Sequence, residues 1–274
     1  SKDNKNNLSR VIIFIGRLSV ALGIIVSLIT VSTGLGSKKA IESRLANFSG
    51  HISVKSTRSN SSYNTSVLNK EGLKLNEIKN LEEVAGVQSY ATVSGILRTE
   101  DNFDGVILKG VSKDFDAERF NDFMISGEVP KFTEKGYNNQ VILSEKIAND
   151  LHLKPKDSIV AIFSKEDQQP IYRKFEISGI YKTDIKMIDD LFIIGDINHV
   201  RKIQDMAKTE VGGIDIFLKD SDDIDAIYPK IEKLIGYKNY AEKATDKYPQ
   251  IVDWINIFDT NIGLIITIML IVVV

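Results

Sequence analysis

Four carboxylates fall close together at Asp220, Asp222, Asp223 and Asp225. Oxygen ligands at such spacing could bind calcium. A calcium loop, however, follows D-x-[DN]-x-[DN]-G, and here Ile224 takes the third ligand position with no Gly after it. The run is predicted instead to be a solvated acidic turn that caps the next helix. His51, His152 and His199 lie far apart, none of them in H-E-x-x-H, and no G-x-S-x-G elbow occurs. Gly34-Leu-Gly36-Ser-Lys38 is glycine-rich, but it lacks the G-x-x-x-x-G-K-[ST] spacing and no strand precedes it. There is no Cys, which excludes disulfides and thiolate metal sites. The sequence thus predicts no catalytic residue, no metal ligand and no cofactor or ATP site in this chain.

The elements around these residues point elsewhere. The chain has 274 residues, 43% hydrophobic and 26% charged, with a net charge of -2. Balanced charge without a long Lys/Arg run makes nucleic acid an unfavoured partner. The apolar residues are concentrated at the two ends. Val11 to Leu35 carries a single charge, Arg17. As a helix these ~25 residues span roughly 37 Å, more than the ~30 Å hydrocarbon core. The stretch is too long for the apolar region of a signal peptide, so a retained transmembrane helix is expected. Arg17 can snorkel to the headgroups. Lys2, Lys5, Arg10 and Arg17 against Lys38, Lys39 and Arg44 give a slight positive bias to the N-terminal side. That places the middle of the chain outside the cytoplasm. Ser19, Gly23 and Ser27 form a small-residue stripe on which another helix can pack.

Pro249 to Val274 is amphipathic at first, with Ile251, Trp254, Ile255, Phe258 and Ile262 at helical spacing, and uniformly apolar from Ile262. The apolar part is ~13 residues, where a span needs about 20. The sequence is therefore expected to be a fragment that stops inside a second membrane helix. Ile41, Leu45 and Phe48 extend the first helix past the membrane to about Phe48, and Ser49-Gly50 ends it. Both spans are thus expected to continue as stalks.

Between the stalks the patterning is α+β. Strands are expected at His51 to Thr57, Gly86 to Arg98, Val106 to Val111, Val141 to Leu143, Leu191 to Ile194 and Gly212 to Leu218. Ser158 to Phe163 and Arg173 to Tyr181 form a hairpin with a polar tip, Ser164 to Tyr172. Leu75 to Val84, Ser144 to Leu151, Asp196 to Met206 and Ile224 to Ile235 read as helices, with Ser144 and Asp196 as caps and Phe115 to Phe123 as a helical turn. Lys154-Pro-Lys-Asp157 is a turn, and Arg58 to Asn69 a loop. Tyr237, Tyr240, Tyr248 and Trp254 collect near the second span, as interfacial aromatics do.

In this arrangement the chain resembles the permeases of the LolC/LolE, MacB and FtsX kind. Stretches such as GLGSKKAIESRLANFSGHISV, IKNLEEVAGVQSYATVSGILR, VILSEKIANDLHLKPKDSIVAIF, FEISGIY and YPQIVDWINIFDTNIGLI are similar to the lipoprotein-releasing branch, with Gly86, Gly110 and Gly179 in the pattern. Lys156 departs from it, standing where the family usually has Gly. The resemblance implies a porter-like subdomain, 49–111 and 195–248, with a mixed α/β subdomain, 112–194, inserted in it. The periplasmic domain, 49–248, lies between segments 1–48 and 249–274. It also implies a multi-pass protein of a bacterial inner membrane, non-catalytic itself and dimeric with a second copy or a paralogue. A separate cytoplasmic ABC ATPase would carry ATP and Mg. Motion driven by ATP would pass up the stalks and move a lipoprotein from membrane lipid to a periplasmic lipoprotein chaperone.

In that family a hairpin loop engages the chaperone. The matching tip here is Ser164, Lys165, Glu166, Asp167, Gln168, Gln169, Pro170, Ile171 and Tyr172, and it is shorter than the family's. Leu28, Val31, Phe258 and Ile262, in the outward halves of the spans, could line a shelter for acyl chains or simply face lipid or each other. Two alternatives stay open: an FtsX-like regulator of a cell-wall hydrolase, and a MacB-like efflux permease.

Overall fold

A computed structural model describes residues 2–59, 64–133, 136–164 and 169–273. The chain divides into two compact units, one made of Ser1–Glu42 with Tyr248–Val274, the other of Ser43–Lys247.

The first unit contains most of helix α1 (Lys2–Ser49). Val11, Ile12, Phe14, Leu18, Leu22, Ile25 and Ile29 are each at least half exposed. So continuous an exposed apolar surface is what a helix facing lipid presents. By length and composition α1 is apolar enough to cross a membrane. Among the residues of α1 that become partly covered in this unit are Val20, Ile24, Ser27, Val31, Gly34, Lys38 and Ile41, with Ser37 and Glu42 flanking the last two. The alternating steps of four and three from Val20 to Ile41 are those of a coiled-coil seam. The final helix of the chain (Pro249–Val273) offers Phe258, Ile262, Ile265 and Met269 at matching spacing. A side chain added at Gly34 would meet Ile262 Cδ1 at 3.2 Å, so the two helices approach closely there. Lys38 and Asp259 pair at 2.7 Å beside the seam. Ile257–Met269 is an apolar stretch shorter than a full span. The side chains of Trp254 and Ile255 lie outside the described residues.

The second unit begins with the last turns of α1, which end where Gly50 adopts φ +78°. A Cβ at Gly50 would come within 2.9 Å of Asp215 Cβ, so only Gly permits this reversal. In order there follow β1 (Ile52–Ser56), β2 (Leu68–Asn69), α2 (Leu75–Lys79), β3 (Val84–Arg98), β4 (Phe103–Val111), α3 (Ala117–Asn121), β5 (Met124–Gly127), β6 (Gln140–Ser144), α4 (Glu145–Asp150), β7 (Ser158–Phe163), β8 (Ile171–Tyr181), α5 (Lys186–Asp189), β9 (Phe192–Asp196), α6 (Ile197–Gln204), β10 (Glu210–Val211), β11 (Gly213–Leu218), α7 (Ile224–Ile235), β12 (Asn239–Lys243) and α8 (Ala244–Lys247). Helix α9 (Pro249–Val273) belongs to the first unit.

The large sheet runs β12-β1-β11-β3-β4-β9-β6-β8-β5, and β7 pairs with both β3 and β8. The strands β3-β4-β9-β6-β8-β7 therefore close into a ring. Closure hydrogen-bonds both sides of these strands and removes their open edges. The weakest link is β6–β9, joined through Ile142 and Ile194. Alternate residues of the ring strands, among them Val93, Leu97, Leu108, Val141, Phe163, Phe175 and Ile193, belong to one buried cluster. β12, β1 and β11 extend the sheet from β3. Ser144 and Asp196 cap α4 and α6, accepting from the amides of Ile147 and Asn198 at 3.1 and 2.8 Å. Both caps match the sequence expectation. β2, β5, β10 and β12 lie where the sequence indicated loops or no element.

Candidate functional site

The hairpin β7–β8 pairs from Ser158↔Glu176 to Phe163↔Ile171. Its tip is the stretch singled out by the resemblance. Ser164, Gln169, Pro170 and Tyr172 are exposed and Ile171 is half-buried. Lys165, Glu166, Asp167 and Gln168 lie outside the described residues. The outer face behind the tip is less polar than the tip itself. Register aligns Ile96 of β3 with Ile162 of β7, and Ile162 with Tyr172 of β8. A second row aligns Phe103, Arg98, Val160 and Lys174. Period-two alternation puts both rows on the outside of the ring. Ile96, Val160, Tyr172 and Phe103 are exposed, Phe103 by 78%. A groove of ≈ 730 Å³ adjoins them, lined by residues that include Arg98, Asn102, His152, Val160, Ile162 and Tyr172. Apolar side chains on adjacent strands, with Arg98 and Lys174 among them, can cover and orient a partner's apolar surface.

The other predicted site residues separate. Val31, Phe258 and Ile262 lie half-buried on the seam of the first unit, while Leu28 is exposed. Of the small-residue stripe, Ser27 lies on that seam. Ser19 and Gly23 are exposed, and nothing lies within 4 Å of a Cβ built at Gly23.

The candidate chemical groups have structural partners. Asp220 accepts from the Asp222 amide at 3.0 Å and caps a 3-10 turn ahead of α7. Asp225 pairs with Lys243 at 2.5 Å. His51 Nδ1 accepts from the Leu218 amide at 3.1 Å, and burial pulls its pKa down to about 4. His199 Nε2 is 3.0 Å from the Asn138 carbonyl, its ring edge-on to Phe175, with its pKa lowered by burial. His152 has φ 54° just beyond α4. Among the described residues no three His, Cys, Asp or Glu side chains group to hold a metal. Two charged residues that the sequence reading passed over, Lys109 and Asp215, are buried as a pair at 3.0 Å.

A helix of membrane-spanning length beside a mixed α/β domain of this topology agrees with a comparison at the level of sequence families. Residues 17–234 match the family described as MacB-like periplasmic core domain. The chain belongs to this family. It is a permease-type domain of the MacB and FtsX superfamily, a kind of domain that is generally non-catalytic. Such permeases work with a cytoplasmic ABC ATPase. The family and the apolar α1 together make this a membrane protein with a periplasmic domain.

Among solved structures, the extracellular domain of the noncanonic ABC-type transporter YknZ from Gram-positive bacteria is similar at 16% identity. The match covers 70% of this chain and 99% of that one, with a TM-score of 0.46. The periplasmic region of MacB from Actinobacillus actinomycetemcomitans is also 16% identical, over 74% and 92% of the two chains, with a TM-score of 0.48. A domain of a putative permease protein from Porphyromonas gingivalis is 12% identical over 70% and 85%, with a TM-score of 0.36. No curated protein matches the chain significantly.

Proposed function

We propose that this chain is the permease subunit of a lipoprotein-releasing ABC transporter. In this reading 49–248 is the periplasmic part, with 112–194 inserted between porter segments 49–111 and 195–248. Two permease copies or paralogues pair, and the ATP and Mg belong to the cytoplasmic ATPase. The chain moves cargo without chemistry of its own. A triacyl anchor buries tens of CH₂ groups at about 0.8 kcal/mol each, so extraction needs external work and an apolar receiver.

The observation that carries the reading is the exposed apolar face Ile96–Ile162–Tyr172 next to the β7–β8 tip. A soluble chaperone that accepts acyl chains presents apolar surface at its mouth, and this face is its complement. Leu28, exposed on α1, is the member of the proposed acyl shelter free to meet an acyl chain. Val31, Phe258 and Ile262 could join it where the seam opens.

The test uses the full-length permease with its ATPase in proteoliposomes and follows ATP-dependent transfer of a triacylated lipoprotein to the soluble chaperone. Ile96→Asp with Tyr172→Asp should reduce transfer at least tenfold and leave ATP hydrolysis intact. The proposal is refuted if depletion of the protein in cells leaves lipoproteins normally sorted. Chaining cells would then favour the hydrolase regulator, and toxin sensitivity the efflux permease.

A further inference from the structure

Lys109 of β4 is a cation buried in the sheet, its side chain 7% exposed and that of its partner Asp215 2%. Taking an ammonium out of water is costly unless several groups replace its hydration. Four do so here. Its Nζ lies 3.0 Å from Asp215 Oδ2 and donates to the Phe48 carbonyl at 2.8 Å. It also lies 4.8 Å from the Phe48 ring centroid and 5.2 Å from that of Tyr90. Asp215 is held in turn. Ser53 Oγ donates to Asp215 Oδ1 at 2.9 Å and lies 3.1 Å from the Tyr90 hydroxyl.

Phe48 is the penultimate residue of α1. Its carbonyl is one of those a helix end leaves without an internal donor, at the negative end of the helix dipole. A buried ammonium is the strongest available donor for that position. The Phe48 ring packs beside Tyr181 at 6.2 Å and edge-on to Phe192 at 5.6 Å. One turn earlier, Arg44 Nη1 donates to the Thr183 carbonyl at 3.0 Å and pairs with Asp184 at 2.5 Å. Lys247, the last residue of α8, places its ammonium 4.9 Å from the same Tyr90 ring. Tyr90 therefore receives cations both from the node at which α1 ends and from the residue at which the chain leaves the domain.

We infer that Lys109 is a positioning residue that fastens the end of α1 into the domain, and that this fastening lets displacement of α1 reach the domain. The second half of this statement rests on the permease reading; the first does not. Two opposite charges buried in neighbouring parts of one sheet add little to stability compared with apolar side chains of similar size. What an apolar pair could not supply is a donor for the Phe48 carbonyl.

The test compares wild type, Lys109→Met and Lys109→Met/Asp215→Asn in the full-length permease, assembled with its ATPase in nanodiscs. The double variant avoids a stranded carboxylate and guards against misfolding in the single one. Amide exchange is followed by mass spectrometry. Peptides covering 45–51 are expected to exchange at least tenfold faster in the variants, while those of β6 and β8 stay within twofold of wild type. ATP hydrolysis is expected to persist while transfer of a triacylated lipoprotein falls at least tenfold. Unchanged exchange at 45–51 in a folded double variant overturns the inference. So does an equal rise across the whole domain, which would make the pair a purely structural element. A wild-type complex that hydrolyses ATP but never transfers lipoprotein sinks the transport reading, and the exchange result then decides the fastening alone.

Discussion

Acidification should loosen the domain at the residue that follows the α1 reversal. The His51 amide donates to the Ile216 carbonyl at 2.9 Å, and its own carbonyl accepts from Ala244 at 3.0 Å. Its Nδ1 accepts from the Leu218 amide at 3.1 Å. That bond requires an unprotonated Nδ1, since a proton there would face the Leu218 N–H. Burial, aided by the positive charge of Arg119 and opposed by Asp220, lowers the pKa from 6.5 to about 4. With the folded pKa below the unfolded one, the unfolded chain binds more protons between those values. Stability from this residue is therefore complete above pH 6.5 and is lost as pH falls through 4. A gap of about 2.5 units at 1.36 kcal/mol each corresponds to roughly 3 kcal/mol. The assay is urea unfolding of the full-length protein in detergent from pH 7.5 to 4, followed by circular dichroism, beside His51→Asn. The Asn amide oxygen can accept the same bond without titrating. Carboxylates contribute equally to both proteins and cancel in the difference. The wild type should lose about 3 kcal/mol more than the variant between pH 6.5 and 4. Parallel pH profiles for the two proteins, or a His51 imidazole titrating near 6.5 by NMR, would refute the reasoning.

Further substitutions probe the fold and the outer face. Lys156 holds φ +79° in the turn before β7, where a side chain is strained. Lys156→Gly is expected to stabilise by about 1 kcal/mol, raising Tm by roughly 2–4 °C in a thermal melt. At Gly110 a Cβ would lie 2.7 Å from Ile197 Cα and 2.8 Å from Val200 Cγ2. Gly110→Ala must push α6 off the sheet, and a loss of about 2–3 kcal/mol is expected in urea unfolding. Tyr172 is 62% exposed. Tyr172→Ser should leave the melting temperature within about 1–2 °C of wild type, while weakening capture of the lipoprotein chaperone in a pull-down with the full-length protein.

Much of the local structure is written in local signals. The length and hydropathy of α1, the caps at Ser144 and Asp196 and the reversal at Gly50 each depend on a few adjacent residues, and they stand where the sequence places them. Lys156, by contrast, occupies a left-handed position with φ +79°, a backbone state that its neighbours in sequence do not announce and that Gly would hold without strain. The ring β3-β4-β9-β6-β8-β7 is another matter. Alternation says which face of a strand is buried but not which strand lies beside it. Gly86 to Arg98 reads as a single long strand, yet β3 pairs with β11 along its first part and with β4 and β7 along its last. Closure at Ile142–Ile194 joins segments some fifty residues apart. β2 and β10 have only two residues each, too few to show any period.

The Lys109–Asp215 pair shows where a signal existed without being decisive. Val106-Ile-Leu-Lys-Gly-Val111 and Gly213-Ile-Asp-Ile-Phe-Leu218 are apolar runs, each interrupted by one charge. A single charge in such a run can mark an edge or a solvated face, as the exposed Lys174 does on β8. A buried alternative needs a partner of opposite sign, and each run carries a candidate. The two strands are not direct neighbours, since β3 lies between β4 and β11. Lys109 reaches across it because its four-carbon stem spans the intervening strand, passing Tyr90. Pairing rules between adjacent strands could not have found this contact. It follows only from the order of the sheet, together with the position of Phe48 at the end of α1, whose carbonyl gives a buried ammonium a reason to be there.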